Sequence, residues 1–291
     1  MKRKIVKQGA ATLMISLPSK WCKKFNLEKG KEVDIEEANE NLIVSVKKIK
    51  GKEKVFIDVS GWHPLINRIL ASYYIKGVDE LEIKFSNPSE IKDFQKRVLN
   101  ELLGFEIIKQ GQNSLIIKEI TGAEAKDIDD IIKRIFLVLD SMAQELIDSI
   151  EKKQNLEPVI EIDVSINKFV NFCLRVLNKK GYTDFSKTPQ IYGIIMTLEQ
   201  IGDLFKEMAK QAQGKLKITK EEIETLRALR KLLDLFGKLM FEFSKDDAVS
   251  FAKEYQRIRN KIDNKTFLGP YLYELSDAII RMNNNLLVIS F

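Results

Sequence analysis

Histidine is nearly absent from this 291-residue chain: His63 stands alone, and the only cysteines are Cys22 and Cys173. One imidazole does not build a multi-histidine zinc site, and neither cysteine has a partner thiol or histidine nearby in sequence. A disulfide framework and Cys–His nucleophilic chemistry are therefore unsupported. No GxxxxGK[ST] or GxGxxG phosphate-binding loop occurs. Long apolar runs are missing too, and none approaches the roughly 20 residues that cross a bilayer. The run "AATLMISLP" ends at Pro18 and a basic segment, without a small-residue cleavage site, so no signal peptide is expected. These absences predict a cytoplasmic protein without membrane insertion and not an enzyme of a familiar kind.

What the chain does have is charge, unevenly placed. It carries 48 basic and 42 acidic side chains, and an apolar fraction of 44% marks it as a folded protein rather than a disordered one. Twelve of the bases and six of the acids lie in residues 1–50, so the other 241 residues hold 36 of each and balance. Within residues 1–31 nine bases face one acid, Glu28, a local charge of +8. A basic excess confined to one short segment suits a polyanion such as DNA, whose phosphates supply salt-dependent affinity. The alternative is a solvated basic face.

Residues 1–50 read as strand, strand, short helix, strand, strand. "KIVKQG" and "TLMISL" are β-rich runs separated by Gly9, and "SKWCKKF" makes about two helical turns with Trp21 and Phe25 four apart. "LEKGKEVDIEE" and "NENLIVSVKK" supply two more strands around a turn at Ala38–Asn41. Four short strands do not bury a core alone, so two copies are expected to complete each other. The stretch "LPSKWCKKFNLEKGKEVDI" resembles the swapped-hairpin domain of the AbrB/MazE/SpoVT group. That resemblance implies an intertwined homodimer that binds DNA. It assigns phosphate contacts to Lys20, Lys23 and Lys24 beside the Leu17–Pro18 step, with Arg3, Lys4 and Lys7 on the first strand. The arginine that such DNA binders usually carry before their Val-Val-Ile-Pro run is replaced here, near Leu13 or Met14.

Residues 51–120 alternate as βαβαββ, a small α+β domain. "KVFIDVS" is a strand, and "HPLINRILASYYIKG" a helix with Pro64 in its first turn and Leu65, Ile66, Ile69 and Tyr73 apolar. "ELEIKF" is a strand, Pro88 to Gly104 a second helix, and "FEIIKQ…NSLIIKEI" a hairpin. His63 reads as a turn or cap residue rather than a catalytic base.

Residues 121–291 have helical periodicity, with helices expected near 124–153, 163–180, 189–213, 219–244, 246–263 and 268–289. Breaks are expected at Pro158, Gly181–Pro189, Gly214 and Gly269–Pro270. The six helices align as two copies of three, approximately 121–213 and 214–291. An offset of 81 pairs Leu198 with Ile279, Ile201 with Met282 and Phe205 with Leu286. An offset of 94 pairs Leu139 with Leu233, Asp140 with Asp234 and Ala143 with Gly237. A duplicated three-helix bundle follows.

Within it, Glu199 and Asp203 lie four apart on one helix face, where like charges oppose each other by roughly 0.2–0.5 kcal/mol unless a cation intervenes. "LEQIGD" resembles the "LERIGD" signature of the PhoU family, whose fold is this duplicated bundle. The resemblance implies iron, zinc or another multinuclear metal cluster, with Glu199 and Asp203 as ligands. Asp140, on the facing first helix, is a further candidate. The second copy has Ile280 and Asn284 at the matching places, so no site is expected there. The alternative for the surviving pair is an ordinary ion network with Lys206.

Taken together, an AbrB-like head, an α+β middle and a PhoU-like bundle resemble the archaeal-type phosphate uptake regulators. The resemblance implies a cytoplasmic regulator of phosphate transport acting at transcription. The competing expectation is an adaptor that docks on a phosphate-transporter ATPase or a sensor kinase without touching DNA.

Overall fold

In a computed structural model the chain forms two compact units, Met1–Gly51 and Lys52–Phe291. The structure describes residues 1–38, 41–46, 53–96, 98–121, 128–213 and 218–291. The middle of the Ala38–Asn41 turn, the boundary at residues 50–51, the helix start at 124–127 and the Gly214 break lie outside the described residues.

In the first unit, β1 (Val6–Gln8) and β2 (Thr12–Met14) pair antiparallel with Lys7 opposite Leu13. Gly9, at φ +70°, makes the turn between them. The helix α1 (Ser19–Lys24) follows Pro18, and Asn26 in left-handed conformation ends it. A second antiparallel pair, β3 (Asp34–Ala38) with β4 (Asn41–Ser45), sets Ile35 against Val44. The two pairs remain separate two-stranded sheets. No side chain described in this unit is buried, and Leu13 and Ile35 are 67% and 63% exposed.

The second unit holds a four-stranded sheet and a helical bundle. The strands β5 (Lys54–Asp58), β6 (Glu80–Lys84), β7 (Phe105–Gln110) and β8 (Ser114–Glu119) are ordered β5-β6-β8-β7. The β5–β6 pair is parallel, as a βαβ crossover requires, and the other pairs are antiparallel. The crossover helix α2 (Ile66–Lys76) buries Ile66, Leu70 and Tyr74 on the sheet. Of the expected apolar set Leu65, Ile66, Ile69 and Tyr73, Ile66 is buried, Ile69 and Tyr73 are half-buried and Leu65 is exposed, and the helix starts at Ile66, after Pro64. His63 is exposed in the preceding turn. The expected single helix from Pro88 to Gly104 is broken into a 3₁₀ turn (Pro88–Ile91), α3 (Lys92–Lys96) and another 3₁₀ turn (Val98–Glu101).

The bundle comprises α4 (Ile128–Lys152), α5 (Glu157–Lys180), α6 (Thr188–Ala212), α7 (Lys220–Phe241), α8 (Lys245–Arg259) and α9 (Gly269–Ser290). Pro158 sits in the first turn of α5 rather than breaking the chain before it. Leu198, Ile201, Phe205 and their repeat partners Ile279, Met282 and Leu286 are all buried in one core. Thr219 and Glu222 form a capping box at the start of α7, and Glu222 also accepts from the Leu268 N–H at 2.5 Å. The repeats meet through their equivalent helices. Across α6 and α9, Arg281 donates to Gln200 at 3.2 Å, and these two positions are equivalents at the offset of 81. Gly193 faces Asn285 on the same pair, so one helix runs up while the other runs down. The α4–α7 pair runs the same way: Phe136 packs on Gly237, Asp140 on Arg230, and Glu151 on Arg227. Contacts between equivalent positions on antiparallel helices describe an internal pseudo-two-fold axis.

Candidate functional site

Three places follow from the sequence. The first is the basic segment of the small unit. Lys20, Lys23 and Lys24 project from α1, Lys7 from the middle of β1, and Arg3 and Lys4 from the chain before it. All six are exposed, and none forms an ion pair with a described residue. Trp21 and Phe25 pack edge to face at 5.7 Å, bracing a helix too short to persist alone. Lys24 rests over the Phe25 ring at 5.5 Å. Such an array presents uncompensated cations to solvent, which is what a polyanion backbone requires.

The second place is on α6. Glu199 and Asp203 share a half-buried face, as their spacing demands, and Lys206 continues that face one turn on. The third acid brought to them is Asp163 of α5. Lys206 Nζ bridges the helices, 2.8 Å from Asp163 Oδ2 and hydrogen-bonded to Asp203 Oδ1. Asn167, one turn along α5, also donates to Asp163 Oδ2 at 3.2 Å. The other oxygen, Asp163 Oδ1, is buried with no hydrogen-bond partner among the described residues. It lies against Gly202, where an added Cβ would come within 3.7 Å of it and within 2.9 Å of Ile166. Burial, then the charges of Asp203 and Asp163, pushes the Glu199 carboxyl up to about 7 against the opposing Lys206 ammonium. Burial alone would lower the Lys206 pKa; its two carboxylate bonds hold it above the usual lysine range.

Three carboxylates, one of them with an unpartnered oxygen, are hard donors of the kind an oxygen-seeking cation takes. Among the described residues, however, no three His, Cys, Asp or Glu side chains are gathered as metal ligands. The cation standing between Asp163 and Asp203 is the Lys206 ammonium.

The third place is Asp140, whose partner is a cation on another helix. Arg230 of α7 grips Asp140 with two hydrogen bonds, 2.6 and 2.8 Å, and also bonds Gln144. This pair borders a groove between α4 and α7, with a cavity of about 380 Å³ lined by Phe136, Leu137, Gly237 and Phe241. The Asp140 carboxylate, expected to join Glu199 and Asp203, is engaged with a guanidinium across the pseudo-two-fold.

Asp163 is the residue that sequence reading missed. Its signal was the Asp163–Asn167 spacing of four on a helix face that also carries Val159, Ile166 and Val170. Set beside families of related sequences, curated proteins and solved structures, the chain finds a match in none of the three. The resemblances described above rest on the motifs themselves.

Proposed function

We propose that this chain is a DNA-binding regulator of phosphate uptake whose residues 1–50 form an AbrB-like swapped-hairpin dimer. Its helical bundle is read as PhoU-like, taking a metal ion or a protein partner. One observation carries the DNA reading: six basic side chains in a single small unit are exposed and without an ionic partner among the described residues. The dimer reading is supported by the two separate hairpin sheets, none of whose described apolar side chains is buried. A second copy supplies the same two pairs and the missing core. Hard-cation binding at Glu199, Asp203 and Asp163 is supported by the donor chemistry and by the unpartnered Asp163 Oδ1.

Selection of genomic fragments with the purified full-length protein tests the pathway. Enrichment of sequences upstream of phosphate-transport genes is the expected result. Absence of enrichment contradicts it and favours the adaptor, for which the α4–α7 groove offers a docking surface.

A further inference from the structure

We propose that the outer edge of β5 pairs antiparallel with the same edge of a second copy of this chain, about a two-fold axis at Phe56, so that two four-stranded sheets run on as one. β5 closes one side of the sheet, and among the described residues no strand pairs with its outer side. Its ladder to β6 is regular over Lys54–Asp58, and the strand holds no proline. The opposite edge, β7, carries a register shift between Ile107 and Lys109, a device that keeps strand edges from pairing. Backbone alternation fixes which groups the β5 edge offers. The Val59 N–H donates to the Lys84 carbonyl, and the Glu53 carbonyl accepts from the Asp79 N–H, both at 2.8 Å. The odd-numbered residues thus turn their backbone groups to β6, and Lys54, Phe56 and Asp58 turn theirs outward.

The side chains choose the occupant. "KVFID" reads cation, apolar, aromatic, apolar, anion, which is its own complement when reversed. An antiparallel partner centred on Phe56 sets Lys54 opposite Asp58 of the second copy and Phe56 opposite its own counterpart. Because these residues point outward, each opposed pair exchanges two hydrogen bonds. The charges also extend a ladder already present on the sheet. Glu80 of β6 stands between Lys118 of β8, at 3.2 Å, and Lys54, at 2.8 Å, while Lys84 lies 3.1 Å from Asp58. Across the axis the row reads Lys118, Glu80 and Lys54, then Asp58 and Lys84 of the second copy, alternating in sign throughout. Opposite charges facing each other across strands stabilise a sheet, and like charges destabilise it. A slip of two residues sets Lys54 opposite Phe56 and loses both ion pairs, so the register is specified. Phe56, 61% exposed, lies at the centre, where it meets its counterpart.

Cysteine cross-linking of the full-length protein tests this in a Cys22→Ser background, since Cys173 is buried. Opposed residues of such a pair have Cα atoms about 5.5 Å apart, within disulfide reach. Phe56→Cys is therefore expected to give a disulfide-linked dimer on mild air oxidation. Lys54→Cys or Asp58→Cys alone would lie about 14 Å from its counterpart and should not link, whereas the two combined should. Ile108→Cys, exposed on β7, should link several-fold more slowly than Phe56→Cys. Hydrogen exchange of the wild type, read residue by residue by NMR, needs no variant. The Lys54, Phe56 and Asp58 amides should exchange as slowly as those within the β5–β6 ladder. Failure of Phe56→Cys to link faster than Ile108→Cys, or free exchange of those three amides, overturns the pairing. Slow exchange without the Phe56→Cys link also overturns it, and assigns the edge to an extended segment of different sequence.

Discussion

Arg175 Nη2 lies 2.6 Å from Asp79 Oδ1, although 96 residues separate them, and this pair pins α5 to the sheet. The same guanidinium donates to the carbonyls of Tyr74 and Val78 at 2.9 and 2.6 Å and stacks over the Tyr74 and Phe105 rings. Lys179 reaches the same Asp79 oxygen at 2.6 Å. Burial works against an ionised Asp79, yet the Lys179 bond and the Glu53 N–H hold its carboxyl below the usual range. Removing one member of such a buried node strands the rest. Arg175→Leu should therefore destabilise the protein by about 3 kcal/mol, read as a lower midpoint in urea with little change in slope.

Glu199 gives a pH dependence of defined sign. Its folded pKa, about 7, is above the ordinary carboxyl value near 4.5, so the folded protein holds this proton more tightly than the unfolded chain. Below pH ~4.5 both states are protonated and the residue costs nothing. As pH rises from there through 7, the unfolded state is favoured, and the penalty is complete above 7. Glu199→Gln should accordingly match the wild type near pH 4 and melt about 2–4 °C higher at pH 8. Parallel melting curves at both pH values check this, and an equal shift at each would contradict it.

The small unit makes a prediction about assembly. Leu13 is 67% exposed in one chain, so Leu13→Lys should leave an isolated protomer within about 0.5 kcal/mol of its original stability. In an interlaced dimer the same position enters the shared core, and the lysine becomes costly. Sedimentation should show the wild type as a dimer and Leu13→Lys shifted towards monomer. A wild-type monomer, or a variant with unchanged mass, would contradict the swapped arrangement.

Periodicity within a helix made the bundle core legible, because Leu198, Ile201 and Phe205 recur on one face and are buried together. It also revealed the repeat, whose equivalents Gln200 and Arg281 meet directly. What it leaves open is how helices are turned towards one another. Asp140 and Asp234, paired by the repeat, both border the α4–α7 groove, yet the Asp140 carboxylate is held by Arg230. Prolines misled twice by a few residues. Pro64 was taken into the first turn of α2, which starts two residues later at Ile66. Pro158 was taken as a break, which started α5 at Asp163 and disguised a buried acid as a helix end. The Arg175–Asp79 node had no local signal, because its members come from different layers of the unit.

The most direct test of the central claim is the salt dependence of duplex DNA binding by the full-length protein, followed by fluorescence anisotropy. Displacement of counterions by Arg3, Lys4, Lys7, Lys20, Lys23 and Lys24 predicts that log affinity falls against log salt with a slope of about −5 or steeper. Replacing Lys20, Lys23 and Lys24 together with Gln should make that slope shallower by about three or more while folding is retained. A flat salt profile, or a triple variant with the slope of the wild type, would contradict the claim that this basic segment grips DNA.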